Sequence, residues 1–167
     1  RAEQQSQNQL DRLAALREID IAIGGSLDIR VTLKILLQQV IKQLHADAAD
    51  ILLLNPSSLM LTFGAGLGFN THAVELTQLR LGDPFAGRVA LEQTLISIPD
   101  LGSTETPPQY GELLRAEKFV SYIGVPLFAK GHVKGVLEIL HREPLHPDKA
   151  WFDFLHALAG QAEIALD

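Results

Sequence analysis

Apolar and polar positions along this chain follow two periods, and the shorter period is clearest near the C-terminal end. Residues 120–141, V-S-Y-I-G-V-P-L-F-A-K-G-H-V-K-G-V-L-E-I-L-H, read as two strands joined by a tight turn at Lys130-Gly131, where glycine supplies the positive φ that a short hairpin needs. The first strand is apolar on both faces. Ile123, Val125, Leu127 and Ala129 share one, and Tyr122, Pro126 and Phe128 the other, which predicts a strand inside a covered sheet. In the second, Val133, Leu137 and Ile139 share a face, while His132, Lys134 and Glu138 fall opposite, beside Val136 and Leu140. One side of the sheet therefore meets a dry core. The other meets solvent or a ligand pocket.

The longer period marks helices. Leu10, Leu13, Leu16 and Ile23 recur among charged neighbours up to a stop at Gly24-Gly25, and the polar first turns favour a partner outside the domain. Asp28 is placed to cap a second helix over Ile29–Leu44, with Val31, Ile35, Val40 and Ile41 on its apolar side and His45 at its end. Short strands follow at Asp50–Asn55 and Met60–Gly66, joined by a Pro56-Ser57-Ser58 turn. In the stretch 81–90, L-G-D-P-F-A-G-R-V-A, Asp83 is expected to cap a helix whose first position is Pro84. Its free N–H groups and Arg88 suit an anion site, and the plainer reading is a helix packing Phe85, Val89 and Leu91 onto the sheet. A strand at Thr94–Ile98, a polar loop over 101–108 and a short helix over Gln109–Glu117 come next, with Tyr110 as the aromatic of that segment. Asp148 then caps a last helix to about Leu166, striped by Trp151, Leu155, Leu158, Ala162 and Ala165.

Composition narrows the chemistry. At 167 residues one domain is the default, able to bury roughly 70% of its unfolded surface. No apolar run approaches the ~20 residues of a membrane span. The net charge of −6, without clustered Lys and Arg, argues against nucleic acid and anionic membrane as partners. The absence of cysteine removes disulfides, thiolate metal sites and thiol nucleophiles and is compatible with a cytoplasmic location. Glycines 64, 66 and 68 make no dinucleotide fingerprint, since no helix with a following acidic residue is evident. The six histidines show no metal-ligand spacing; His141 stands nearest to a pocket rim. No nucleophile–base pair emerges, so no catalytic residue, metal or cofactor is assigned.

The order helix, helix, two strands, short helix, strand, loop with helix, two strands, helix is an α+β arrangement, an antiparallel sheet with helices on both faces. The segments S-L-D at 26–28, H-A-D-A-A-D-I-L-L-L-N at 45–55, L-G-D-P-F-A-G at 81–87, I-P-D at 98–100, G-V-P-L at 124–127, K-G-H-V-K-G-V-L-E-I at 130–139 and A-G-Q-A-E-I-A at 159–165 resemble, in order and spacing, a GAF domain. Pro84 stands where that family's L-G-x-G-x-x-G has glycine. Residues 10–20 resemble the connector before GAF modules in sensor kinases and HD-GYP-type phosphohydrolases, so the expected organisation is a connector over 1–24 and the GAF domain over 25–167.

The resemblance implies a profilin- or PAS-like sheet of about six strands. The first, second and last helices would lie on one face and form a homodimer bundle, and a ligand would lie on the other. It implies a regulatory module that senses a small molecule of unknown identity and signals through its terminal helices to an output domain in the same chain, in two-component or cyclic-di-GMP signalling. Covalent bilin attachment and free methionine sulfoxide reduction both need cysteine in this family, and no N-K-F-D-E signature of cyclic-nucleotide binding is present. The expected ligand-binding residues are Phe85, Arg88, Tyr110, Tyr122 and Glu138. Arg88 would hold an anionic group, Glu138 a donor, and the aromatics would wall the site. The reductases place carboxylates on both strands of the hairpin, whereas here Glu138 matches one position and Tyr122 occupies the other. The alternatives are a dimerisation spacer whose pocket is filled by its own side chains and, with least support, an enzyme acting on a small molecule.

Overall fold

The hairpin closes at Lys130 and Gly131, which both take positive φ, 54° and 79°, the requirement of a two-residue turn matched to strand twist. In the computed structural model, which describes residues 2–25, 28–103 and 116–167, this hairpin forms strands β5 (Ser121–Ala129) and β6 (His132–His141). The others are β1 (Ala48–Leu54), β2 (Met60–Leu67), β3 (Gln78–Arg80) and β4 (Ile96–Ile98). They form one antiparallel sheet in the order β3-β2-β1-β6-β5-β4. The α+β architecture expected from the pattern is therefore present. The helices are α1 (Ala2–Gly25), α2 (Ile29–Leu44), α3 (Ala86–Glu92) and α4 (Lys149–Leu166), with 3-10 turns at Ala73–Leu76 and Leu101–Ser103. The helix expected over Gln109–Glu117 lies largely outside the described residues.

Helices α1, α2 and α4 cover one face of the sheet. Its Ala49, Ile51, Ile123, Val125, Leu127, Leu137 and Ile139 point into the main core. Helix α2 contributes Leu33, Leu36, Leu37, Val40 and Leu44, all essentially inaccessible, and their burial contributes on the order of 10 kcal/mol. The expected stripe is thus rotated: Val31 is half exposed, and the 33/36/37/40/44 positions face inward. Among the described side chains of α1, only Ala15 and Ile19 are buried, while Leu10, Leu13 and Ile21 are more than half exposed. Its attachment is correspondingly weaker.

Local chemistry explains the remaining departures. Asp28 and Asp148 cap α2 and α4 through Arg30 N and Trp151 N. Asp83 does not cap α3; its carboxylate accepts from Arg80 N at 2.7 Å, and the helix begins at Ala86 after Phe85. In β6 the register skips Lys134, since Leu127 pairs with Gly135 and Phe128 with Val133. This bulge turns Val133 away from Leu137 and Ile139 and into the smaller core under α3, with Leu52, Leu61, Val89 and Val136.

Candidate functional site

On the face opposite α1, α2 and α4, one cross-strand row carries the chemistry. Asp50 of β1 pairs with Gly66 of β2 on one side and Glu138 of β6 on the other, and Glu138 pairs with Gly124 of β5. Two carboxyl groups therefore stand side by side, flanked by two residues without side chains. Asp50 is 1% exposed, and Glu138 is half-buried. The space over Gly124 is taken: a Cβ there would come within 2.5 Å of the Tyr122 hydroxyl and 2.8 Å of Val89 Cγ2. Tyr122 bends across the glycine and donates its hydroxyl to Glu138 Oε2 at 2.6 Å.

The protonation of this cluster follows from its burial. Burial pushes the Asp50 carboxyl well above the usual range, and the neighbouring Glu138 charge and the hydrogen bond between them push the same way. Burial also raises Glu138, against hydrogen bonds from Asp50 and Tyr122 that favour its charged form. Tyr122 is held neutral by burial and by Glu138. Burial therefore favours the neutral form of Asp50, while its hydrogen-bond donors favour the charged form of Glu138. Asp50 Oδ1 has no hydrogen-bond partner among the described residues. A buried carboxyl oxygen keeps the capacity to accept a hydrogen bond.

Aromatic side chains surround the row. Phe85 lies 5.2 Å from Tyr122 between ring centroids, from a backbone at φ 67°, ψ −112° that a bulky residue adopts only under constraint. Phe69 meets Phe119 edge-on at 5.8 Å, and Ala48, Leu101, Ile98 and Leu140 complete this third apolar cluster. Beside it, the inaccessible Glu117 carboxylate accepts from Asn70 N, from Thr71 N and Oγ1, and from Arg142 Nη2 at 2.9 Å. Arg142 also donates through Nε to Glu117 O and lies 4.7 Å over the Phe119 ring. Burial alone would raise Glu117; these bonds outweigh it and lower it.

Of the five expected ligand residues, Phe85, Tyr122 and Glu138 come together here. Arg88 points outward from α3 and bonds Glu92 at 2.8 Å. Tyr110 lies outside the described residues. His141 is on the other face, buried 6.4 Å from Trp151, where burial lowers its pKa, so it does not line this rim. Among the described residues no group of three metal-ligating side chains is assembled, and no helix is long and apolar enough to cross a membrane. Asp50, Glu117 and Arg142 were not anticipated. For Asp50 the signal was available, an acid inside the otherwise apolar run A-A-D-I-L-L-L.

The sequence profile of the GAF domain matches residues 28–166, and the chain belongs to that family. Solved structures agree on the fold. The GAF domain of an Acinetobacter phosphoenolpyruvate-protein phosphotransferase is 24% identical, with 93% of this chain and 92% of that one covered at a TM-score of 0.77. The Neisseria meningitidis free methionine-R-sulfoxide reductase, solved with its substrate, is 18% identical over 93% and 87%, at 0.76. A domain of a two-component sensor histidine kinase candidate from Sinorhizobium meliloti is 18% identical over 83% and 90%, at 0.68. No curated protein sequence matches the chain.

Proposed function

We propose that this domain is a regulatory sensor that binds a small molecule carrying a hydrogen-bond-donating, cationic group over Asp50 and Glu138. The observation that carries this is the acid pair itself. Its orphaned Asp50 oxygen and the neighbouring Glu138 carboxyl stand in one row between two glycines, beside an aromatic cluster, with no cationic side chain bonded to them among the described residues. A ligand ammonium would supply the missing donor and displace the shared proton. Arg88 would serve an anionic group of the ligand by leaving Glu92, and Tyr110 would add a wall. The signal would pass through α1 and α4, in a homodimer, to an adjoining output domain of kinase or HD-GYP type. Membership of the GAF family and the signalling context of several solved neighbours support this reading.

The test is thermal unfolding against a panel of primary amines and amino acids, with Glu138→Gln and Asp50→Asn beside the native chain. A ligand at a hundred times its Kd adds about 2.7 kcal/mol, and both variants should lose most of it. Equal stabilisation of native and variant proteins, or none across the panel, would sink the proposal.

A second reading, the spacer without ligand, is favoured by one observation: the Tyr122 hydroxyl already fills the room over Gly124 and satisfies Glu138. Tyr122→Ala separates the two. A sensor gains ligand affinity when its internal occupant is removed, whereas a spacer only loses stability. Catalysis is a property of some solved neighbours, but this chain has no cysteine to support thiol chemistry.

A further inference from the structure

We propose that the outer edge of β2 at residues 63–67 is a strand-addition site for an extended, acidic segment of a protein partner. Strand β3 pairs with Met60, Leu61 and Thr62 only. Beyond Thr62 no outward backbone hydrogen bond to the F-G-A-G-L half of β2 is formed among the described residues. Sheet edges are usually blunted by proline, by lysine or by a covering element, and this segment carries neither residue.

Instead, a groove of about 510 Å³ follows the edge, between Arg30 and Lys34 of α2 and the 68–75 loop. Its lining includes Phe63, Gly64, Ala65, Gly66 and Leu67 of β2. The Cβ positions of Gly64 and Gly66 are already filled, by Leu53 and by Phe63, so neither residue could carry a side chain into the groove without displacing them. Gly64 is also the extra residue of a bulge, since Ile51 pairs with Ala65 and Leu52 with Phe63. A bulge re-aims an edge, here beside the groove.

Charge selects the occupant. In a chain of net charge −6, this groove presents two cations. The Arg30 side chain is 82% exposed, with a 3.8 Å ion pair to Asp28, and Lys34 is exposed. The groove's carboxylate, Glu75, is bonded by His72. Backbone hydrogen bonds from an added strand give affinity, and the flanking cations favour alternate acidic side chains. The inference does not depend on a ligand at the Asp50–Glu138 pair, which lies on inner strands.

The experiment uses the whole chain and a fluorescent peptide of alternating valine and glutamate. Two control peptides accompany it, one with lysine for glutamate and one N-methylated at alternate residues. The expected result is saturable binding of the acidic peptide, with amide NMR shifts and exchange protection confined to residues 63–67 and their neighbours. Arg30→Glu with Lys34→Glu, both on the surface, should weaken it roughly tenfold or more at low salt. The N-methylated peptide should not bind. Equal binding of the lysine or N-methylated peptide, shifts elsewhere, or no saturable binding would overturn the proposal. Protection of the same amides by raising protein concentration alone would assign the edge to a second copy and overturn the partner.

Discussion

Gly124 and Tyr122 depend on each other, because the hydroxyl occupies the volume that any Cβ at Gly124 would need. Gly124→Ala should destabilise the domain by about 1–3 kcal/mol through overpacking. Most of that cost should vanish in the Tyr122→Ala background, leaving the contact with Val89, as a double-mutant cycle in urea would measure. Asp50 sets a pH dependence. Its folded-state pKa lies above the ordinary 3.8, so the native state binds the proton that the unfolded chain has released. Its stabilisation is therefore complete below 3.8 and is lost as pH rises toward the folded value. Asp50→Asn keeps the donor to Glu138 without that loss. Relative to the native protein, the variant should become progressively more stable as pH is raised from acid to neutral, which calorimetry across that range would show. A variant that follows the native curve in parallel would refute the protonated Asp50.

At the scale of elements, the Glu117–Arg142 pair ties together three segments distant in sequence: the loop after β2, the chain entering β5 and the end of β6. Arg142→Leu leaves an inaccessible carboxylate without its cation, and such breaks cost about 3–5 kcal/mol. Equilibrium urea unfolding should show a loss of that order, and one below about 1 kcal/mol would mean the pair is replaced by water. Most elements were legible from pattern and capping: α2 has the expected bounds, Asp28 and Asp148 cap as expected, and the hairpin turns at Lys130-Gly131. The faces were less legible. The stripe of α2 is rotated because Thr32 and Leu36 face the sheet while Val31 does not, a tertiary choice that helical spacing cannot make alone. Val133 changed face because a bulge adds one residue and inverts the alternation. The start of α3 was misplaced because Asp83 satisfied Arg80 N in preference to a helix end. Of the site, Glu138 stood out as a charge on the hairpin, and Tyr122 through the family resemblance, which places an acid at its position. Asp50 becomes significant only when strand pairing sets it against Glu138, which is long-range information.

For the whole molecule, the sheet separates two layers: the acid row on one face, and on the other α1, α2 and α4. The exposed Leu10, Leu13 and Ile21 on α1, with Ile164 on α4, fit the proposed helical-bundle dimer. Leu10→Glu with Leu13→Glu should shift sedimentation toward monomer without changing unfolding of the isolated chain, because neither side chain is buried. A native chain that stays monomeric at high concentration would remove the bundle. A hydrogen bond ties α4 to the sheet. Glu163 of α4 accepts from Phe128 N of β5 at 2.7 Å, and the same strand carries Tyr122 at its other end. Any molecule that shifts β5 by moving Tyr122 must therefore either carry α4 along or break this bond. If the acid row binds a ligand as proposed, thermodynamic reciprocity means that whatever clamps α4 from outside would change affinity at the acid row by the same factor as the ligand changes the clamp, and the far end of the helix would be as much an input as the sheet.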